Sequence, residues 1–255
     1  MRSIRYSLKG KVAIVTGGAQ RLGEAAARAL ADRGAEILLT DLDEALGDRT
    51  SASIRERGSQ ALFLRHDAAN EGDWISVVDE AILRFGKADI LVNGASVTEF
   101  MPIHEMSVAQ FDRVMAINVR SVFLGCKHIL RAMERAGGGS IVNMSSIAGM
   151  TANAVGSAAY AASNGAIRLM TKAVALDYAD RMIRVNSVHA GGIRALTAEP
   201  PYAEALLSRI AIDRTPMKRV GLPHEVGAAV VFLASNESSY TTGAELVVDG
   251  GWLAA

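Results

Sequence analysis

Short, nearly unbroken apolar runs recur along the chain, and between them apolar positions return every three or four residues. The runs are KVAIVTG (11–17), AEILLTD (35–41), ALFLRHD (61–67), ADILVNG (88–94), SIVNMSS (140–146), IRVNSVHAG (183–191) and ELVVDGG (245–251). A strand with one wet face alternates apolar and polar residues, whereas a continuous run fits a parallel sheet covered on both faces. Helical spacing, which would supply the covers, is clearest over Glu24–Arg33, Trp74–Phe85, Val108–Arg135, Ala159–Tyr178 and His224–Leu233. Strand–helix alternation with right-handed crossovers predicts a doubly wound α/β fold, with residues 1–255 forming one domain. Gly137–Gly139 reads as a short loop before a strand, and no internal repeat breaks the pattern. Residues 193–216 do interrupt it, between the last two strands. An insertion at the carboxyl edge of such a sheet is expected to cover a substrate.

Composition narrows the partners. The chain has 255 residues, 50% of them hydrophobic, enough for a sizeable core. Its 27 basic and 27 acidic residues cancel and form no basic run, which argues against nucleic acid and anionic membrane surfaces. The single cysteine, Cys126, cannot form an internal disulfide, and the opening MRSIRYSLKG lacks the apolar stretch of a signal peptide. A cytoplasmic protein without a membrane span is the expectation. The five histidines show no metal-ligand spacing, so no metal site is predicted.

The first apolar run leads into TGGAQRLG (16–23) and then a helix. A glycine turn between strand and helix lets backbone N–H groups approach a pyrophosphate at the positive helix end, the Rossmann-type arrangement. Gly17, Arg21, Leu22 and Gly23 are the candidate contacts. Asp41 closes the next strand, where a carboxylate accepts hydrogen bonds from ribose hydroxyls and repels a 2′-phosphate. That favours NAD, with NADP as the alternative; a plain turn with a capping aspartate is the simpler reading.

Along its whole length the sequence resembles the short-chain dehydrogenase/reductase family, through motifs that occur in order. They are TGGAQRLG for TG-x-x-x-G-x-G, NGAS at Asn93–Ser96 for NNAG, INV around Asn118, the serine pair Ser145–Ser146, Tyr160, RVNSVHAG, and a closing VDGG. The resemblance implies that Asp67 and Ala68 contact the adenine, that Asn93, Gly94 and Ala95 flank a cofactor ribose, that Ile193 touches the carboxamide, and that Gly191 is also a cofactor contact. It also implies a catalytic set: Tyr160 exchanges a proton with the substrate oxygen, Ser146 holds that oxygen, and Asn118 serves a proton relay. Ser146 rather than Ser145 aligns with the family's serine, and alternation puts their side chains on opposite faces.

Four residues after Tyr160 the family has a lysine that binds the ribose and favours the phenolate. This chain has Asn164. An i, i+4 pair shares a helix face, so Asn164 is expected at the same cofactor edge. A free tyrosine has a pKa of about 10, and an amide supplies no charge to lower it. General acid–base groups contribute roughly 10²–10⁴ in rate, so alcohol oxidation, which needs a base, is expected to suffer more than ketone reduction. The positive nicotinamide of NAD⁺ offers partial compensation. Arg168 is one turn on and His189 ends a strand near the pocket, but a surface arginine and a satisfied buried histidine are the ordinary readings.

Other departures accumulate. Arg21 replaces the middle glycine of the phosphate turn, so its backbone is expected to avoid conformations reserved for glycine, and its guanidinium is a candidate phosphate contact. Gly94 and Ser96 alter NNAG, Ala190 replaces the proline of PG, and Ala195 stands where a threonine is usual. Two readings follow: an oxidoreductase interconverting a small secondary alcohol (sugar, polyol or hydroxy-acid-like) and its ketone with weakened activity, or a nucleotide-binding scaffold that has lost the chemistry. The resemblance also implies a homotetramer, with small residues along 159–178 suited to helix pairing.

Overall fold

The computed structural model describes residues 6–152, 156–194, 209 and 212–255. Seven parallel strands form one sheet in the order β3-β2-β1-β4-β5-β6-β7. They are β1 (Val12–Thr16), β2 (Glu36–Asp41), β3 (Ala61–Arg65), β4 (Ile90–Asn93), β5 (Gly139–Ser146), β6 (Ile183–Ala190) and β7 (Glu245–Val248). All seven predicted strands are present, most trimmed by a few residues, whereas β5 starts one residue early, at Gly139. The doubly wound α/β expectation is therefore met. The central strands β1, β4 and β5 are buried on both faces, which is why their sequences do not alternate.

Helices α1 (Arg21–Ala31), α2 (Glu44–Glu56), α3 (Glu71–Phe85), α4 (Val108–Met115), α5 (Ser121–Arg135), α6 (Ala158–Tyr178) and α7 (Pro223–Ala234) cover the sheet. One apolar layer packs α1 and α7 against one face, with Leu30, Val92, Val142 and Val230 fully buried. The other sets α3, α5 and α6 against the opposite face around Trp74, Ile129, Met133 and Ile167. Strand order reverses between β1 and β4, and an α/β sheet opens a crevice at the carboxyl ends there.

The sequence pattern runs Val108–Arg135 as one helix, but the structure interrupts it. Ala116–Arg120 forms a π-helical turn between α4 and α5. The extra residue re-aims the turn that carries Asn118. The pattern also passes over α2, whose Gly47, Thr50 and Ser51 are weak helix formers. Asp43 caps that helix by accepting the Leu46 N–H at 2.9 Å. Gly47 is needed because a Cβ there would lie 2.1 Å from the Phe63 ring.

Candidate active site

A cavity of about 600 Å³ opens at the carboxyl ends of β1, β2 and β4. Of the predicted cofactor contacts, Gly17, Arg21, Leu22, Gly23, Asp41, Asp67, Ala68, Gly94 and Ala95 line it. The turn after β1 is built by close backbone approach. A Cβ on Gly23 would sit 2.0 Å from the Gly17 carbonyl oxygen, and one on Gly17 would sit 2.8 Å from the Ala95 nitrogen. Thr16, which sequence reasoning passed over, ties the two loops together. Its Oγ1 accepts the Gly94 and Ala95 N–H groups at 3.1 and 3.3 Å. It sits at the head of TGG, and its place directly before the turn was the available signal.

Arg21 corrects an expectation. Its φ is 53°, so the turn keeps the left-handed conformation and an exposed arginine adopts it. That region is open to L-residues at a cost, so the glycine geometry survives without the glycine. Asp41 sits on the lip: Oδ2 accepts the Ala19 N–H at 3.2 Å, and Oδ1 accepts the Leu42 and Asp43 N–H groups at 2.8 and 3.3 Å. These bonds fix the carboxylate toward the phosphate turn. On the opposite rim Arg113 of α4 lines the cavity and forms an ion pair with Glu99.

Asn93 does not flank this cavity. It is buried, and its Nδ2 donates to Asn143 Oδ1 at 2.8 Å, bracing β4 against β5. Its side chain is thus a strut inside the sheet. His66, also at the cavity wall, is 2% exposed; its Nδ1 meets Thr40 Oγ1 at 2.9 Å and its ring stands edge-on to Trp74. Burial pulls its pKa down to about 4, against the opposing pull of Asp73 and Asp67.

Further along the sheet edge, β5, β6 and α6 assemble the predicted chemical residues. Ser146 ends β5; its Oγ accepts the Ala148 N–H at 3.1 Å and donates to the Ala190 carbonyl at 3.4 Å. Tyr160 stands in the first turn of α6, half-buried, with Phe100 edge-on at 6.0 Å between ring centres. Among the described residues its hydroxyl has no hydrogen-bond partner, so the phenol is free to meet a ligand. Asn118 is buried and clamps the loop after β4: Nδ2 donates to the Val97 carbonyl, and Oδ1 accepts the Val97 N–H at 2.8 Å. Nδ2 also donates to Ser163 Oγ at 3.0 Å, linking the π turn to α6.

Asn164 is 3% exposed and folded back. Its Nδ2 donates to the Tyr160 carbonyl at 2.9 Å, and its Oδ1 accepts from Ser145 Oγ at 3.3 Å. The shared helix face is as expected, yet the short amide is spent on the protein. The cations that follow on the same helix are engaged elsewhere: Arg168 and Lys172 lie 2.9 and 2.8 Å from the two oxygens of Glu245 on β7. Gly191, whose N–H donates to Val248, and Ile193, bridged to Gly221, follow β6 at the same edge, outside the cavity wall. Of the predicted covering insertion, 195–208 and 210–211, including Ala195, lie outside the described residues.

A glycine turn at a helix start, an acid at the tip of β2, and a serine and tyrosine near the ends of β5 and β6 thus share the carboxyl edge of one doubly wound sheet. Comparison with known proteins gives the family. The family model described as Enoyl-(Acyl carrier protein) reductase matches residues 17–253. The chain is 43% identical to a cyclopentanol dehydrogenase of Comamonas sp. over 96% of its length and 97% of that protein. It is 37% identical to an NADP-dependent (R)-specific alcohol dehydrogenase of Lentilactobacillus kefiri, covering 97% and 98% of the two chains. A solved short-chain type dehydrogenase/reductase from Mycobacterium marinum superposes with a TM-score of 0.93 at 31% identity, covering 98% of each chain. The protein belongs to the short-chain dehydrogenase/reductase family.

Proposed function

We propose that this protein is an NAD-dependent dehydrogenase that interconverts a small secondary alcohol and its ketone, with a lysine-free catalytic centre. The carrying observation is the Tyr160 hydroxyl, unpartnered among the described residues, in the first turn of α6, a helix that Asn164 ties to the end of β5 where Ser146 stands. The residues fit a dinucleotide: the glycine turn leads into the start of α1, where backbone N–H groups and the helix end suit a phosphate, and Asp41 presents a carboxylate at the lip. When bound, the nicotinamide supplies the hydride acceptor or donor. In oxidation Tyr160 takes the alcohol proton; in reduction it returns one. Ser146 donates a hydrogen bond to the reacting oxygen: its oxygen accepts from Ala148, and the 3.4 Å contact to the Ala190 carbonyl is the donor bond it would give up.

Asn164 holds the Tyr160 turn but adds no charge, so oxidation is slow near neutral pH and improves in alkali. Relatives named for cyclopentanol and for (R)-specific alcohols support a compact secondary alcohol. Phe100 beside Tyr160 gives the alcohol an apolar wall. NAD is preferred because Asp41 would repel a 2′-phosphate; Arg21 at the same cavity keeps NADP as the alternative. The assembly is proposed to be a homotetramer, supported by the exposed apolar Phe123 on α5 and Leu169 and Leu176 on α6; light scattering after gel filtration tests it.

A panel of cyclic and acyclic secondary alcohols and their ketones, with NAD(H) and NADP(H), tests the reading. Turnover that Tyr160→Phe abolishes supports it. Cofactor binding without turnover on either side of the panel defeats it in favour of a nucleotide-binding scaffold.

A further inference from the structure

His189 is buried outright, and the chemistry above makes no use of it. It lies on β6 beside Ser145, two residues from Ser187 on the same face, under α6. Its Nδ1 is 3.2 Å from the Ser146 carbonyl oxygen and its Nε2 is 2.8 Å from Ser187 Oγ. A carbonyl can only accept, so Nδ1 carries the hydrogen. In the neutral ring Nε2 then accepts from the Ser187 hydroxyl, and the tautomer is fixed without recourse to a charged form. Burial lowers the histidine pKa and keeps the ring neutral; the Ser146 carbonyl and Glu245 of β7 pull the other way, while Arg168 and Lys172 of α6 push it down.

Ser146 is the last residue of β5, and a single 3₁₀ turn, Ile147–Gly149, follows it. Its hydroxyl direction therefore depends on how firmly its own peptide is held. We propose that His189 is a positioning residue for Ser146: a neutral imidazole, oriented by Ser187, that anchors the Ser146 carbonyl and so aims the serine hydroxyl. The inference rests on the reading of Ser146 as the group that holds the reacting oxygen. It assigns β6 a part in catalysis that touches neither substrate nor cofactor.

The test compares His189→Leu, which removes both ring hydrogen bonds, with His189→Asn, which retains a donor near the Nδ1 position. Both are made in the wild type and in Ser146→Ala. A mis-aimed group costs up to about 10²-fold, so His189→Leu is expected to lower kcat roughly 10- to 100-fold with the NAD(H) Kd unchanged. His189→Asn restores most of the loss. In Ser146→Ala, His189→Leu costs nothing further, since the group it aims is gone; a merely structural role would lower both backgrounds alike. Should His189→Leu fail to fold, Ser187→Ala replaces it, with a kcat loss in the same direction. Long-range ¹H–¹⁵N spectra give an independent readout: an Nε2–H tautomer or an imidazolium at pH 7 overturns the inference. Turnover lost in Ser146→Ala but kept in His189→Leu overturns the inference alone. No wild-type turnover, or full turnover in Ser146→Ala, overturns the reading of the site, and the inference with it.

Discussion

In the proposed centre Asn164 supplies no charge, while its amide and carbonyl tie α6 to Ser145 of β5. The seam under α6 runs Tyr160, Asn164, Arg168, Lys172 at four-residue intervals, and only the last two carry charge, both held by Glu245. A lysine at 164 would give up the amide contact to Ser145, which keeps the Asn164 backbone carbonyl at 3.4 Å as an acceptor. Asn164→Lys should therefore be tolerated, raise alcohol oxidation by at least ~10-fold near pH 7, and move the pH optimum toward neutral. Initial rates across pH 6–10 check this; an unchanged profile would show that the missing charge is not what limits turnover. His66 gives a second prediction. Its folded pKa, about 4, lies below the ordinary 6.5, so the unfolded chain binds the proton first as pH falls. The full stability is present above about pH 6.5 and declines through about pH 4, by about 3 kcal/mol from this residue alone. Urea melts of His66→Asn at pH 7.5 and 4.5 should show a smaller difference than the wild type.

At the scale of elements, the glycine turn after β1 depends on backbone contact that the motif implies but does not measure. A Cβ at Gly23 has no place to go, because the atom 2.0 Å away is the Gly17 carbonyl, which is backbone. Gly23→Ala should cost about 1–3 kcal/mol in the turn, a roughly 10- to 100-fold loss of NAD(H) affinity, measured by quenching of NADH fluorescence. The strands and most helices were legible because burial on one or both faces writes itself into the apolar spacing. Three things were not. The π turn at Ala116–Arg120 inserts one residue into an otherwise unbroken helical period, so the apolar pattern runs straight through it. Helix α2 is held by its Asp43 cap and by packing on Phe63, so its weak formers read as loop. Asn93 belongs to a motif that the family resemblance ties to the cofactor, and it is the pairing of β4 with β5 that turns its side chain into the sheet toward Asn143.

At the scale of the whole molecule, the cavity and the proposed chemical residues sit on one edge of one sheet, joined by short hydrogen-bonded steps. Thr16 ties β1 to the loop after β4, Asn118 ties that loop to α6, and Ser145 ties α6 to β5. Because these ties cross the sheet from strand to strand, a ligand seated in the cavity should stabilise the domain as a unit. A ligand that binds only the folded chain adds about 2.7 kcal/mol at a hundred times its Kd, and in a domain of this size each kcal/mol raises Tm by roughly 2–4 °C. Saturating NAD(H) should therefore raise Tm by about 5–10 °C. The same experiment weighs Asp41 against Arg21, the two charged side chains facing the cavity from β2 and α1. If the Asp41 carboxylate sets the preference, NADP(H) should shift Tm less than NAD(H) in the wild type, and Asp41→Ala should narrow that gap from both sides, by losing ribose contacts and by removing repulsion. A larger shift with NADP(H) in the wild type, abolished by Arg21→Gly, would assign the preference to the guanidinium and reverse the cofactor proposed.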